Sequence, residues 1–187
     1  MAENISFKER VKNVAISEAD AYQKIYVENT YLIFSTQFIN SDYYILSAEQ
    51  DNYLRLIGVN TDLSAKEFFK KSKLGTLKDN DFNFIKINQD EKNVKGSVRR
   101  KINCLPKLKT LFFSNSLFFE ENFKKNSVVC ALAASDQEIT LGFTHGKKSR
   151  PKTLLKGNEL KKPIEIDLIL SKKREELLYD NIVYGNV

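Results

Sequence analysis

The hydrophobic period changes along this chain, and no other feature limits its fold so strongly. In the first 28 residues Phe7, Val11, Val14, Ala15, Tyr22 and Ile25 recur at helical spacing, with charged residues between them. In the last third, Ile139, Leu141, Phe143 and His145 alternate with Thr140, Gly142 and Thr144. Ile164, Ile166, Leu168 and Leu170 alternate around Glu165 and Asp167 in the same way. A helix shows the same face every 3.6 residues and a strand every two, so neither pattern can serve the other element. Helices first and strands later predict an α+β fold, with N-terminal helices followed by a small antiparallel sheet.

The segments between fill in this frame. Runs at residues 30–36 and 43–46, rich in aromatic and β-branched residues, flank Asn40-Ser41-Asp42 and predict a hairpin. Ser47-Ala48-Glu49-Gln50 and Ser64-Ala65-Lys66-Glu67 both match the capping box, in which a serine caps a backbone N–H and the residue three later reaches back. Leu63 and Phe68 add staple spacing at the second box. Short helices are therefore expected near 48–57 and 64–73, closed by Gly58 and Gly75. A further helix over 90–105 carries Val94, Val98, Ile102 and Leu105 on one stripe. Lys92, Lys95 and Arg99 fall opposite, and Lys101 lies at the stripe's edge, where it must snorkel or find an anion. Pro106 ends that helix and residues 107–113 form another. Residues 128–134 and 138–145 flank Ser135-Asp136-Gln137 as a second hairpin, and 181–187 add an edge.

With 187 residues the chain has the length of one domain: an N-terminal helix to residue 28, a core over 29–175 and a C-terminal edge segment over 176–187. Hydrophobic residues make up 42% and charged residues 29%, a globular rather than a disordered composition. No apolar run reaches the roughly 18 residues of a membrane helix, and the charged start does not read as a signal peptide. Cys104 and Cys130 are too few for a disulfide scaffold, and with His145 as the one histidine no ordinary zinc site can be built. These features predict a cytoplasmic protein without metal or cofactor.

Charge is unevenly placed. Residues 92–109 carry a net +7, residues 146–162 a net +6, and the remainder −7. Two basic segments on an acidic body suit a polyanion if the fold brings them together, and otherwise are solvated faces. No phosphate-binding glycine loop, GxSxG elbow, HExxH or dinucleotide fingerprint occurs. The carboxylate pair Glu120-Glu121 reads as solvated surface. The remaining chemistry belongs to cations and hydroxyls. His145 can act as acid or base just before the basic loop with Lys148 and Arg150, or can simply cap that loop. Lys152 and Thr153 can hold a phosphate, and Lys95, Arg99 and Arg100 can form a second clamp. Tyr43, Tyr44 and Tyr53 are the candidate base-stacking rings.

Several spaced blocks carry a resemblance. Asn52-Tyr53-Leu54-Arg55-Leu56-Ile57-Gly58-Val59 and Leu63-Ser64-Ala65-Lys66-Glu67-Phe68-Phe69 come first. Lys95-Gly96-Ser97-Val98-Arg99-Arg100-Lys101-Ile102, Val128-Val129-Cys130-Ala131-Leu132-Ala133 and Pro151-Lys152-Thr153-Leu154-Leu155-Lys156-Gly157-Asn158 follow. Together, over about residues 15–172, they resemble phage-borne nucleases of the barnase–EndoU–colicin–RelE-like group, its fourth phage subgroup. The resemblance implies a barnase/RelE-like fold and a metal-independent endoribonuclease of phage or prophage origin, toxin-like, cleaving RNA through 2′-OH attack to a 2′,3′-cyclic phosphate. His145, Lys152, Thr153 and Arg55 would be catalytic, and Lys95, Arg99, Arg100, Lys101, Lys148 and Arg150 would bind phosphate. The resemblance sets a histidine where this chain has Arg55, and an arginine stays charged and shuttles protons poorly. Either His145 takes over the proton work, or the fold survives as a module that binds RNA or a host or phage protein. A structural phage protein is the third class.

Overall fold

The computed structural model describes residues 4–186, so the ends of the predicted N-terminal helix and C-terminal edge, residues 1–3 and 187, lie outside the described residues. Helix α1 (Phe7–Tyr22) starts where the Ser6 hydroxyl accepts the Glu9 N–H at 3.1 Å. It buries Val11, Ala15, Ala19 and Tyr22, then runs on as a π-helical turn over Gln23–Val27 that buries Tyr26. Strands β1 (Asn29–Phe34) and β2 (Tyr43–Ser47) form the predicted hairpin, Phe34 opposite Tyr43 and Thr30 opposite Ser47.

Helices α2 (Asn52–Ile57) and α3 (Ala65–Leu74) follow, each closed by a left-handed glycine, Gly58 at φ 84° and Gly75 at φ 69°. Only α3 begins at a capping box, with Ser64 and Glu67 bonded reciprocally. The first box is a correction: Ser47 is buried at the end of β2, where its hydroxyl accepts from Arg174 at 3.1 Å. Helix α4 (Glu91–Cys104) buries the predicted stripe of Val94, Val98 and Ile102, and a 3₁₀ helix over Leu105–Phe113 continues it.

Strands β3 (Phe118–Glu121), β4 (Lys124–Lys125), β5 (Val128–Val129), β6 (Leu132–Ser135), β7 (Ile139–Phe143), β8 (Pro151–Lys156), β9 (Leu168–Lys173) and β10 (Asn181–Gly185) complete the α+β architecture. One small sheet was expected; among the described residues two four-stranded antiparallel sheets are found, ordered β10-β9-β1-β2 and β3-β6-β7-β8, with β4 and β5 pairing as a hairpin. The early hairpin supplies half of the first sheet, which is why the strands do not all follow the helices. The predicted strand over 128–134 is therefore two, β5 and β6. The strand expected from Ile164 begins only at Leu168, because the segment before it serves other partners: Ile164 bridges Phe119, and Asp167 accepts the Thr36 N–H at 2.6 Å.

Segments flanking the strands tie the sheets together at two places. Ser149 donates to the Ile45 carbonyl at 2.8 Å and accepts from the Ser47 N–H at 3.0 Å. On the other side Phe119 and Ile164 exchange bonds at 3.0 and 2.6 Å. The core between them takes side chains from α1 through β9, including fully buried Tyr53, Phe68, Phe112, Phe119 and Phe143, each stabilising by about 1.5–3 kcal/mol. Glu120 and Glu121 correct the reading of solvated surface. Glu120 is buried and accepts the N–H groups of Lys161 and Lys162 at 2.5 and 2.8 Å. Glu121 accepts from Ile39, Asn40 and Tyr44. Among the described residues no helix is long and apolar enough to cross a membrane.

Candidate functional site

Strand β8 packs against both α2 and α4, which brings parts of the two basic segments side by side. Helix α2 is short, and its terminal carbonyls need partners. The Gly58 N–H satisfies Leu54 at 2.9 Å, and Lys101 reaches across from α4 to donate its Nζ to the Arg55 carbonyl at 3.1 Å. Gly58 leaves room for this: a Cβ there would stand 3.1 Å from both Cδ and Nζ of Lys101. Lys101 sits half-buried at the edge of the apolar stripe. Burial, then the positive charges of Lys86 and Arg55, push its pKa from the ordinary 10.5 down to about 8.

Lys86 is the member of this cluster that sequence reasoning missed. It lies outside both basic segments, in a stretch without periodicity. A tight turn presents it, in which Gln89 donates to the Lys86 carbonyl at 3.3 Å and Asn88 takes the left-handed conformation at φ 59°. Burial lowers the pKa of Lys86 as well. The asparagine turn was the one signal available. Arg55 itself is exposed at the last turn of α2.

The other candidates have partners of their own or are exposed. Lys95 pairs with Glu91 at 2.7 Å and lies over the Phe84 ring, and Arg99 stacks on Phe7 with 4.9 Å to the ring centre. Arg100, Lys148 and Arg150 are exposed. In β8 a bulge intervenes: Gly142 pairs with Thr153 and Phe143 with Pro151, leaving Lys152 as the extra residue. Its Nζ donates to the Val129 carbonyl at 2.7 Å. Thr153 is buried against Gly142, close to Cys130. Cys104 and Cys130 are free and buried, and burial raises both thiol pKa values, as expected of packing residues.

His145 lies two residues beyond the end of β7, exposed on the wall of a cleft of about 670 Å³. Tyr43, Tyr44, Ile45 and Asn122 line the same cleft. Among the described residues no hydrogen bond or ion pair links His145 or Lys152 to Arg55 or Lys101. Of the three candidate stacking rings, Tyr53 is wholly buried with its hydroxyl on the Ala15 carbonyl at 2.7 Å. Tyr44 is half-buried and bonded to Glu121, and burial with that bond raises its pKa. Tyr43 is half exposed. No group of three or more His, Cys, Asp and Glu side chains suited to a metal ion occurs among the described residues.

Compared with known proteins, the chain matches no curated protein and no solved structure. One family model does match, over residues 17–187, which takes in α2, α4, β8 and the whole of both sheets. The chain therefore belongs to the family described as phage-Barnase-EndoU-ColicinE5/D-RelE like nuclease4.

Proposed function

We propose that this protein is an endoribonuclease that cleaves RNA without a metal, in the cytoplasm of a bacterial host, with Arg55, Lys86 and Lys101 as its phosphate site. The observation that carries this reading is the setting of Lys101: a half-buried ammonium held on the Arg55 carbonyl, with two further cations as the charges acting on it. A phosphate diester relieves that repulsion, and cations aimed at its oxygens stabilise the charge that develops during displacement.

Cleavage by 2′-OH attack forms a bond from the 2′ oxygen to phosphorus and breaks the bond from phosphorus to the 5′ oxygen. One proton must leave the 2′-OH and one must reach the leaving oxygen. An ordinary lysine holds its proton too tightly to do this at neutral pH, whereas one with a pKa of about 8 exchanges it. The neutral amine of Lys101 takes the 2′-OH proton and the resulting ammonium returns it to the 5′ oxygen, giving a 2′,3′-cyclic phosphate and a 5′-hydroxyl. Arg55 stays charged throughout, which suits clamping. Lys152, already bonded to Val129, and buried Thr153 serve the strand.

The test is incubation with total bacterial RNA in EDTA and mapping of the new ends. Expected are cyclic phosphate ends, a rate that rises toward pH 8, and a loss of about 10²-fold or more in Lys101→Arg, which keeps the charge but not the proton exchange. Full activity in Lys101→Arg refutes the shuttle. Intact RNA with a folded sample moves the assignment to a binding module, the outcome foreshadowed by Arg55 standing where the resemblance sets a histidine.

A further inference from the structure

Strand β1 alternates over Tyr31–Phe34, beyond a buried Thr30. Tyr31 and Ile33 enter the core, while Leu32 and Phe34 stand on the opposite face of the sheet. Their cross-strand partners are apolar too: Ile45 and Leu170 beside Leu32, Tyr43 and Leu168 beside Phe34. A sheet face turned to water is ordinarily polar. Here Phe34 is 38% and Tyr43 50% exposed, directly opposite each other. The face runs through Tyr43 and Ile45 into the cleft that holds His145 and Lys147. Both walls are held before any ligand arrives. Glu121 accepts from the N–H groups of Ile39 and Asn40 at 2.7 and 3.0 Å and from the Tyr44 hydroxyl at 2.7 Å, and Ser149 ties the other loop to β2.

We propose that this aromatic face and its cleft bind the unstacked bases of single-stranded RNA, so that the substrate class is single-stranded rather than duplex. The inference rests on the reading of RNA as substrate. Exposed rings on adjacent strands stack bases whatever their identity, and only a strand with unstacked bases can offer them. Lys147, with the exposed Lys148 and Arg150 of the same loop, supplies the positive charge a phosphate backbone requires, and Asn122 offers an amide to a base edge. The basic loop on one side of exposed aromatic rings favours a nucleic acid over an apolar protein surface.

The probe is a short 2′-O-methyl oligoribonucleotide, which cannot undergo 2′-OH attack, offered single-stranded and as a duplex while fluorescence anisotropy is read. Wild type is expected to prefer the single strand. The Phe34→Ala, Tyr43→Ala double variant is expected to lose about tenfold or more of that affinity with an unchanged salt dependence, since no charge is removed. Phe34→Leu, Tyr43→Leu keeps apolar bulk but not the ring faces, so an equal loss there excludes misfolding as the cause. Unchanged affinity in both variants, or preference for duplex, overturns the proposal. If the variants lose binding while wild type cleaves no RNA, the nuclease reading fails alone; if they cleave single-stranded RNA with undiminished kcat/KM, this inference fails alone.

Discussion

A lysine at the edge of an apolar helical stripe keeps its charge either by reaching water or by finding an acceptor, and Lys101 does the second in the company of two cations. Its folded pKa of about 8 lies below the ordinary 10.5. Below pH 8 both folded and unfolded chains hold the proton and the full penalty of the buried charge is present; between about 8 and 10.5 only the unfolded chain does, so stability rises with pH. Lys101→Met is therefore expected to be more stable than wild type at pH 7, by about 1–2 kcal/mol once screening is allowed for. Urea unfolding at pH 7 and pH 10 checks this, the two proteins converging at the higher pH. A second residue-scale prediction concerns Gly142. A Cβ there would stand 2.6 Å from the Cys130 Sγ and 2.9 Å from the Thr153 Cγ2. Gly142→Ala should cost about 1–3 kcal/mol by overpacking, and adding Cys130→Ala should recover part of it. The edge position of Lys101 was legible because periodicity defines a stripe and its margins. Lys86 was not, since nothing local in an aperiodic stretch tells where a turn will carry a side chain.

Two segments of the chain match the same capping pattern, and only one caps a helix. Ser64 and Glu67 bond to each other's backbone N–H groups at the start of α3. Ser47 instead ends β2, and Arg174, some 127 positions away, claims its hydroxyl and pairs with Glu49 at 2.9 Å. Ser64→Ala is expected to cost about 1 kcal/mol and to speed amide exchange in the first turn of α3. Ser47→Ala should leave amide protection in α2 unchanged, and a loss of protection there would show that the box caps α2 after all. A capping box states what a serine can do. Whether it does so depends on whether a strand pairing has already taken its backbone, and pairing is not a local property. The β8 bulge is of the same kind: Pro151-Lys152-Thr153 carries no mark that Lys152 is the extra residue.

At the scale of the whole molecule, packing of β8 against α2 and α4 turns separate stretches of positive charge into neighbours. If Arg55, Lys86 and Lys101 each neutralise one phosphate, replacing all three with uncharged residues should flatten the salt dependence of single-strand RNA affinity by about two units of log–log slope. An unchanged slope would remove the cluster from the RNA path. Glu121→Ala should release the β1–β2 loop from two hydrogen bonds and the Tyr44 hydroxyl of β2 from a third, seen as faster exchange at Ile39 and Asn40 with the helices unaffected. By itself the sequence determined the α+β class, the stripes of α1 and α4, the glycine stops and the basic segments, because period, turn chemistry and charge act over a few residues. Tertiary structure alone decided that the strands form two sheets, that Glu120 and Glu121 are internal acceptors, that Lys86 joins Arg55 and Lys101, and that Phe34 and Tyr43 face water together. Each of these depends on which distant segments meet, and long-range pairing is set by burial of the whole chain rather than by any neighbouring residue.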